Sequence, residues 1–174
     1  LVGGPPCQGF SLAGFRQKDD KRNQLFNDYH EIVSKLKPEI FVMENVTGLL
    51  SMEKGAVIKE IITIFEKEGY KVLPPMVLHA EDYGVPQKRR RVILIGKLGH
   101  TPHFSSTPLF SYENPDLPDP ISVGEAILSL PSLRIKDGKE DITFDYKPTS
   151  SYDLFMAGKI DFDEFYELSK KRPK

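Results

Sequence analysis

Apolar residues first recur at helical spacing from residue 25, where Leu25, Tyr29, Ile32, Val33 and Leu36 fall at i, i+4, i+7, i+8 and i+11 and the run stops before Pro38. This spacing predicts an amphipathic helix with those five residues on its buried face. Ile40-Phe41-Val42-Met43 is a short, nearly unbroken apolar run, the pattern of a strand covered on both faces. Helical spacing returns at Val57, Ile58, Ile61, Ile62, Ile64 and Phe65, with Gly69 placed to end the helix. Residues 71–78 and 91–95 are the next strand candidates. The order helix–strand–helix–strand–strand predicts an α/β sheet. Ligands of such sheets gather at the carboxyl ends of the strands, so the residues directly after each strand are the place to look for chemistry.

Past residue 98 the pattern changes. Six prolines, at 102, 108, 115, 118, 120 and 131, exclude a long helix or a central strand there. The stretch reads as a loop-rich connection. Ser122-Val123-Gly124-Glu125 fits a capping box opening a short helix through Ile127 and Leu128. Residues 161–171 predict a second helix, with Phe162, Phe165, Tyr166 and Leu168 on or near one face. No internal repeat or low-complexity tract is present.

Composition excludes several classes. One cysteine in 174 residues cannot build a disulfide framework or a cysteine-based zinc site. No apolar run reaches the ~20 residues of a membrane span, and no signal peptide opens the chain. Hydrophobic residues at 39% and charged residues at 28% are ordinary for a soluble globular protein. The length suits one domain of roughly 100–150 residues with an appendage. The net charge of −1 gives no bulk reason to expect nucleic acid, but it is a cancellation: residues 1–100 carry +3 and residues 101–174 carry −4.

Three segments carry candidate chemistry. The first is Gly3-Gly4-Pro5-Pro6-Cys7-Gln8-Gly9-Phe10-Ser11. An arbitrary cysteine is usually a small buried hydrophobe. Here two glycines and two prolines impose an irregular backbone, and polar Gln8 and Ser11 follow, which describes a loop holding a thiol up to a ligand. A nucleophilic thiol needs thiolate character, so a cationic or proton-accepting neighbour is expected nearby. The segment lacks the Gly-Lys-Ser/Thr of a phosphate-binding P-loop. The second segment is Glu44-Asn45-Val46 at the end of the 40–43 strand, where Glu44 reads equally as a strand-end residue turning to solvent or as a site carboxylate. Asn45-Val46-Thr47 also matches a glycosylation sequon, an accidental match since nothing indicates secretion. The third is Gln87-Lys88-Arg89-Arg90-Arg91, running into Val92-Ile93-Leu94-Ile95. Four cations in a row are ordinarily a solvated face or a phosphate-attracting patch. If the strand begins within this run, Arg89 and Arg91 project to one face and Lys88 and Arg90 to the other. His100 and His103 lie on the proline-rich stretch, and no metal site is expected from them.

Pro-Cys-Gln-Gly-Phe-Ser, then Glu-Asn-Val after a strand, then Gln-Lys-Arg-Arg-Arg before a strand resemble, in this order and spacing, the DNA cytosine-5 methyltransferases. The resemblance is strong over residues 1–97; residues 119–131 are similar to the segment leading into that family's target-recognition region, and Arg22-Asn23-Gln24-Leu25-Phe26 to its helix start after the catalytic loop. It implies an α/β fold: part of a Rossmann-like S-adenosylmethionine-dependent methyltransferase sheet with helices on both faces, followed by a loop-rich segment with short helices. Residues 1–98 then form the later part of the catalytic domain. Residues 99–174 form the proline-rich connection and the start of target recognition.

The same resemblance implies the site. Cys7 matches the nucleophile that adds to C6 of cytosine, Glu44 the carboxylate at N3, Arg91 the cation at O2, and Arg89 a companion arginine supporting the catalytic loop and nearby phosphates. Pro6, Gln8 and Ser11 match the loop closing over the substrate, while Asn45 and Gln87 look like positioning residues. The implied partner is duplex DNA with the cytosine extruded, and the implied setting is a bacterial restriction–modification system in the cytoplasm, as a monomer without metal. A tRNA cytosine-5 methyltransferase on the same scaffold is the alternative, which Gly9-Phe10-Ser11 disfavours. A non-catalytic DNA-binding relative is a second alternative, disfavoured by the presence of Cys7, Glu44 and Arg91 together. The methyl donor implied is S-adenosylmethionine. The family's glycine-rich cofactor loop precedes the cysteine motif, and the chain opens at Leu1 just before that motif. Leu25 matches one position that touches the cofactor, and one residue is not a site. The chain is therefore expected to be a fragment that does not bind S-adenosylmethionine alone; micromolar binding in a calorimetric titration of the 174-residue chain would contradict this.

Overall fold

A computed structural model describes residues 1–6, 24–130 and 147–172 of the protein. The chain divides into two compact units, Leu1–Leu78 with Arg90–Ser106, and His79–Arg89 with Thr107–Lys174.

The first unit is built on strand β5 (Arg90–Leu98), which pairs antiparallel with β2 (Ile40–Asn45) on one side and with β3 (Tyr70–Val72) on the other. β4 (Met76–His79) also pairs with β5, and β1 (Val2–Gly3) lies parallel to β2, giving the order β1-β2-β5-β3. The strand expected over 71–78 is two strands. Pro74 and Pro75 interrupt it because proline cannot donate to the ladder. Leu73 still donates to the carbonyl of Ile95 at 2.9 Å, so both pieces keep their place beside β5.

Helices α1 (Gln24–Leu36) and α2 (Ala56–Lys67) share one core with the sheet face that carries Phe41, Met43 and Leu94. α1 forms where the spacing predicted, but its buried face is rotated. Phe26, Tyr29 and Val33 are buried, whereas Leu25, Ile32 and Leu36 are exposed. Two apolar stripes overlap on this helix, and aromatic packing selects between them. Phe65 of α2 is the hub: Phe26 and Tyr29 meet its ring edge-on at centroid distances of 6.2 and 6.3 Å, and Phe41 lies against it at 4.2 Å. α2 ends as predicted at Gly69, whose φ of 93° is the left-handed geometry of a helix terminus. The end of α1 carries the same geometry on Lys37, at φ 43°. The Lys37 ammonium donates to Glu68, both to its carbonyl and to its carboxylate, tying the ends of α1 and α2.

No helix or strand occurs between residues 99 and 122, consistent with the prolines; residues 99–106 close the first unit and Thr107 onward belongs to the second. The capping box at Ser122 is present: Glu125 N–H donates to Ser122 Oγ at 3.1 Å and Ser122 N–H to Glu125 Oε2 at 2.9 Å, opening α3 (Val123–Ile127). α5 (Phe162–Lys170) starts from Asp161, whose carboxylate accepts from Glu164 N–H at 2.9 Å. Between them lies α4 (Ser151–Met156), which apolar spacing did not reveal. Its signal is a second capping box, Ser150 with Asp153. Phe110, Ile121 and Phe165 form the small core of this unit, with Tyr152, Phe155 and Tyr166 packed on it.

Asp153 is 2% exposed, and its carboxylate accepts from Ser129 Oγ at 2.8 Å, from Thr149 N–H and Oγ1 at 3.0 Å each, and from Ser150 N–H at 3.2 Å. Burial pushes the carboxyl's pKa up. The donors, led by the Thr149 N–H and the Ser129 hydroxyl, outweigh burial and hold it at about 2 against an ordinary 3.8. Its folded pKa is lowered, so its stabilisation is complete above about pH 4 and disappears as pH falls toward 2. That difference corresponds to about 2 kcal/mol. Asp153→Asn is expected to destabilise the second unit by roughly 1–3 kcal/mol at neutral pH, and to remove the acid sensitivity between pH 4 and 2. Amide exchange in α4 and α5 measured across that range checks both; an Asn variant as stable as wild type would contradict the assignment.

Candidate active site

The ladder between β2 and β5 pairs Val42 with Ile95, Met43 with Leu94, Glu44 with Ile93, and Asn45 with Val92. Alternate residues of a strand face opposite ways. Phe41, Met43 and Asn45 therefore point to the helix-covered face, and Val42 and Glu44 to the other. Arg91 lies two residues before Ile93, which places it diagonal to Glu44 on that second face, within reach of a long side chain. The pair forms: Arg91 Nε donates to Glu44 Oε1 at 2.6 Å, with the two side chains 25% and 38% exposed. Arg91 Nη1 also donates to the Arg90 carbonyl at 2.9 Å. Glu44 is thus a partly exposed carboxylate facing a guanidinium.

Asn45 is buried, at 5% exposure, and its Nδ2 donates to the Pro5 carbonyl at 2.8 Å while its Oδ1 accepts from Val46 N–H at 2.9 Å. A buried amide after an apolar strand needs its partners supplied by backbone, and here they come from β2's own exit and from the residues after β1. Pro6 is exposed. Tyr29 was singled out only as an apolar position, yet its hydroxyl donates to the Val42 carbonyl at 3.0 Å. Burial pushes the Tyr29 phenol well above its usual pKa, so it remains a donor. A tyrosine on a buried helix face, with a polar tip that needs a partner, was the available signal.

Gln87 and Arg89 belong to the second unit. Arg89 lies before β5, which begins at Arg90, so the alternation that would have paired it with Arg91 on one strand face does not apply. Its backbone is fixed otherwise: Arg89 N–H donates to Glu81 Oε2 at 3.2 Å, and the Arg89 carbonyl accepts from Ala80 N–H at 2.8 Å. Gln87 N–H donates to the Val85 carbonyl at 2.7 Å, and Gln87, Lys88 and Arg89 are exposed. Glu81 was not anticipated as the residue organising this cationic run. Cys7, Gln8 and Ser11 lie outside the described residues. Among the described residues no group of three or more His, Cys, Asp or Glu could hold a metal ion, and no helix is long and apolar enough to cross a membrane. Nor do the described strands and helices include a strand–Gly-x-Gly–helix unit of the kind that cradles a dinucleotide-like cofactor.

The candidate site is thus a carboxylate and an arginine from two neighbouring strand ends, β2 and β5, which run antiparallel. Residues 1–172 match the C-5 cytosine-specific DNA methylase family, and the chain belongs to that family. It is 40% identical over 165 residues to the type II methyltransferase M.XorII of Xanthomonas oryzae, covering 92% of this chain and 37% of that protein. It is 40% identical over 158 residues to the type II methyltransferase M.DdeI of Desulfomicrobium norvegicum, covering 87% of this chain and 37% of that one. Among solved structures it resembles a crystal structure described as a DNA modification methyltransferase encoded within an E. coli prophage, with a TM-score of 0.57 and 31% identity over 87% of this chain and 42% of that one. The chain thus spans well under half the length of these relatives.

The bonds of Asn45 join the exit of β2 to the residues after β1, so Asn45→Ala removes a buried donor and acceptor at once. The expected cost is about 1–3 kcal/mol. The reporter is hydrogen exchange at the Val42 amide, which donates to the Leu1 carbonyl at 2.8 Å and should exchange faster in the variant. Unaltered protection there would show that Asn45 does not hold the two segments together.

Proposed function

We propose that the protein transfers a methyl group from S-adenosylmethionine to carbon 5 of cytosine in duplex DNA, and that residues 1–98 supply the acid, base-recognition and nucleophile side of the reaction. Residues 99–174 are then the connection into target recognition. The observation that carries the reading is the Glu44–Arg91 pair: the two family positions expected at N3 and O2 of the base come together at 2.6 Å, although 47 positions separate them in sequence.

Cytosine C5 is a weak carbon nucleophile, and covalent addition at C6 makes it enamine-like. Cys7 as thiolate forms the S–C6 bond, and the electron pair of the C5=C6 bond passes through the ring toward N3. Glu44, holding a proton before the step, delivers it to N3 so charge does not accumulate there, and takes it back as the ring is restored after methyl transfer. Arg91 places its guanidinium at O2 and keeps the carboxylate oriented. When bound, S-adenosylmethionine supplies the methyl cation equivalent and leaves as the neutral thioether. Carbon 5 then carries both hydrogen and methyl; loss of the C5 proton to a base returns its electrons to the ring, and the Cys7 sulfur departs with the S–C6 pair. Pro6, Gln8 and Ser11 line the approach of the substrate, Asn45 holds the segment after β1 in place, and Gln87 and Arg89 contact the substrate strand. A base stacked in a duplex cannot reach such a site, so the cytosine is extruded. The proposed setting is the bacterial cytoplasm, as a monomeric member of a restriction–modification system.

With the full-length protein, duplex DNA containing 5-fluorocytosine and S-adenosylmethionine, an adduct stable to denaturation is expected, because fluorine at C5 cannot leave as a cation and the final elimination stalls. Cys7→Ser should give no adduct. Absence of the adduct with the wild-type protein would reject the mechanism, and its appearance on tRNA but not on DNA would reassign the substrate.

A further inference from the structure

Two glycines follow one another where β1 ends, and neither has a left-handed φ, so neither is required by backbone conformation. What each would obstruct differs. A Cβ on Gly3 would stand 2.6 Å from Cε2 of Tyr29, so Gly3 makes room for the ring that clamps β1 to β2, and core packing accounts for it. A Cβ on Gly4 would instead meet Glu44: Oε2 at 3.0 Å, the carbonyl oxygen at 3.7 Å and Cδ at 4.0 Å. Gly4 is exposed, so core packing does not explain it. Its three nearest neighbours among the described residues all belong to the carboxylate-bearing residue of the candidate site.

We propose that Gly4 is a positioning residue for Glu44. With no side chain at position 4, Oε2 occupies the space beside a Cβ position there while Oε1 accepts from Arg91 Nε at 2.6 Å. A methyl group at position 4 comes within 3.0 Å of Oε2, which forces the neighbour to yield by a few tenths of an ångström. The Glu44 side chain is 38% exposed, so it yields toward solvent, and that motion takes Oε1 away from the guanidinium. The geometric part stands independently, while the catalytic consequence rests on the function proposed above. A hydrogen bond of this length tolerates little displacement, and small misplacements of reacting groups cost large factors in rate.

The test uses the full-length protein. Gly4→Ala is expected to lower kcat for methyl transfer about tenfold, with KM for DNA and for S-adenosylmethionine within twofold of wild type and the unfolding midpoint unchanged. Glu44→Asp, one methylene shorter, retracts the carboxylate from position 4. In the double variant Gly4→Ala/Glu44→Asp the loss should be no greater than in Glu44→Asp alone, because the obstruction no longer has a target. A kcat within twofold of wild type for Gly4→Ala, or losses that multiply in the double variant, would overturn the proposal. An activity-independent arm separates it from the function: the Arg91 Nε–Hε resonance, assigned with Arg91→Lys, should shift and exchange faster in Gly4→Ala. If the wild-type protein does not methylate DNA, the function falls and this resonance alone decides, an unchanged signal rejecting the positioning role.

Discussion

The antiparallel register between β2 and β5 is the constraint on which the first unit depends. Phe41 sits opposite Gly96, and a Cβ on Gly96 would stand 2.2 Å from the Phe41 ring, so the ring occupies the space a side chain would take. A slip of one residue would put that ring against Ile95 or Lys97. Because strand faces alternate, it would also exchange the buried and exposed sets along the whole strand. The same register sets Glu44 opposite Ile93 and therefore diagonal to Arg91. Packing at one end of the ladder thus determines which charges meet at the other. The core around Phe65 is fixed by apolar surface and ring geometry, and the polar site takes its alignment from it without contributing to it.

The second unit solves a different problem. Its buried apolar set is small, so polar groups do more of the joining. Asp153 gathers donors from Ser129 and from Thr149 and Ser150 in place of a larger core. Glu125 serves twice: it closes the capping box of α3 and accepts from Arg172 Nη1 at 2.6 Å, while Arg172 Nη2 reaches the Asp119 carbonyl. The pKa of Glu125 is pushed up by burial but more strongly down by the Ser122 N–H and by Arg172, and settles below the usual carboxylate value. Networks of this kind hold short helices that propensity alone cannot, since an isolated helix of five or six residues is unstable in water.

Elements with one dominant signal were legible from the sequence. The 40–43 run, the α2 pattern ending at Gly69, the Ser122 capping box and the α5 helix all appear within a residue or two of their expected places. α1 was legible as a helix but not in its orientation: Leu25, Ile32 and Leu36 form one stripe and Phe26, Tyr29 and Val33 another, and only the position of Phe65, from a helix thirty residues on, decides between them. The split of the 71–78 strand was signalled by Pro74 and Pro75 directly. At the site, motif order pointed to Glu44 and Arg91, and their contact required the ladder. Asn45's bond to Pro5, Tyr29's bond to Val42 and Glu81's hold on Arg89 join segments through backbone atoms, and backbone partners leave no mark in residue type.

The Glu44–Arg91 pair is not something the fold needs. Both side chains are substantially exposed, and pairs so placed contribute about 1 kcal/mol or less once solvent screening and side-chain ordering are counted. The burial of Phe41, Phe65 and Met43 outweighs that several times over, at roughly 1.5–3 kcal/mol for each large apolar side chain. Among the described residues, the other exposed cations in the same run, Lys88 and Arg90, carry no comparable short ion pair to a carboxylate. The register that aligns the pair comes from the core, and an uncluttered glycine beside Glu44 leaves room for a contact that returns little stability. Such an arrangement makes physical sense when the geometry of the charged groups matters more than the energy of their attraction. Preorganised charge does its work when a third group with developing charge enters between or beside them, because the cost of orienting it has been met during folding.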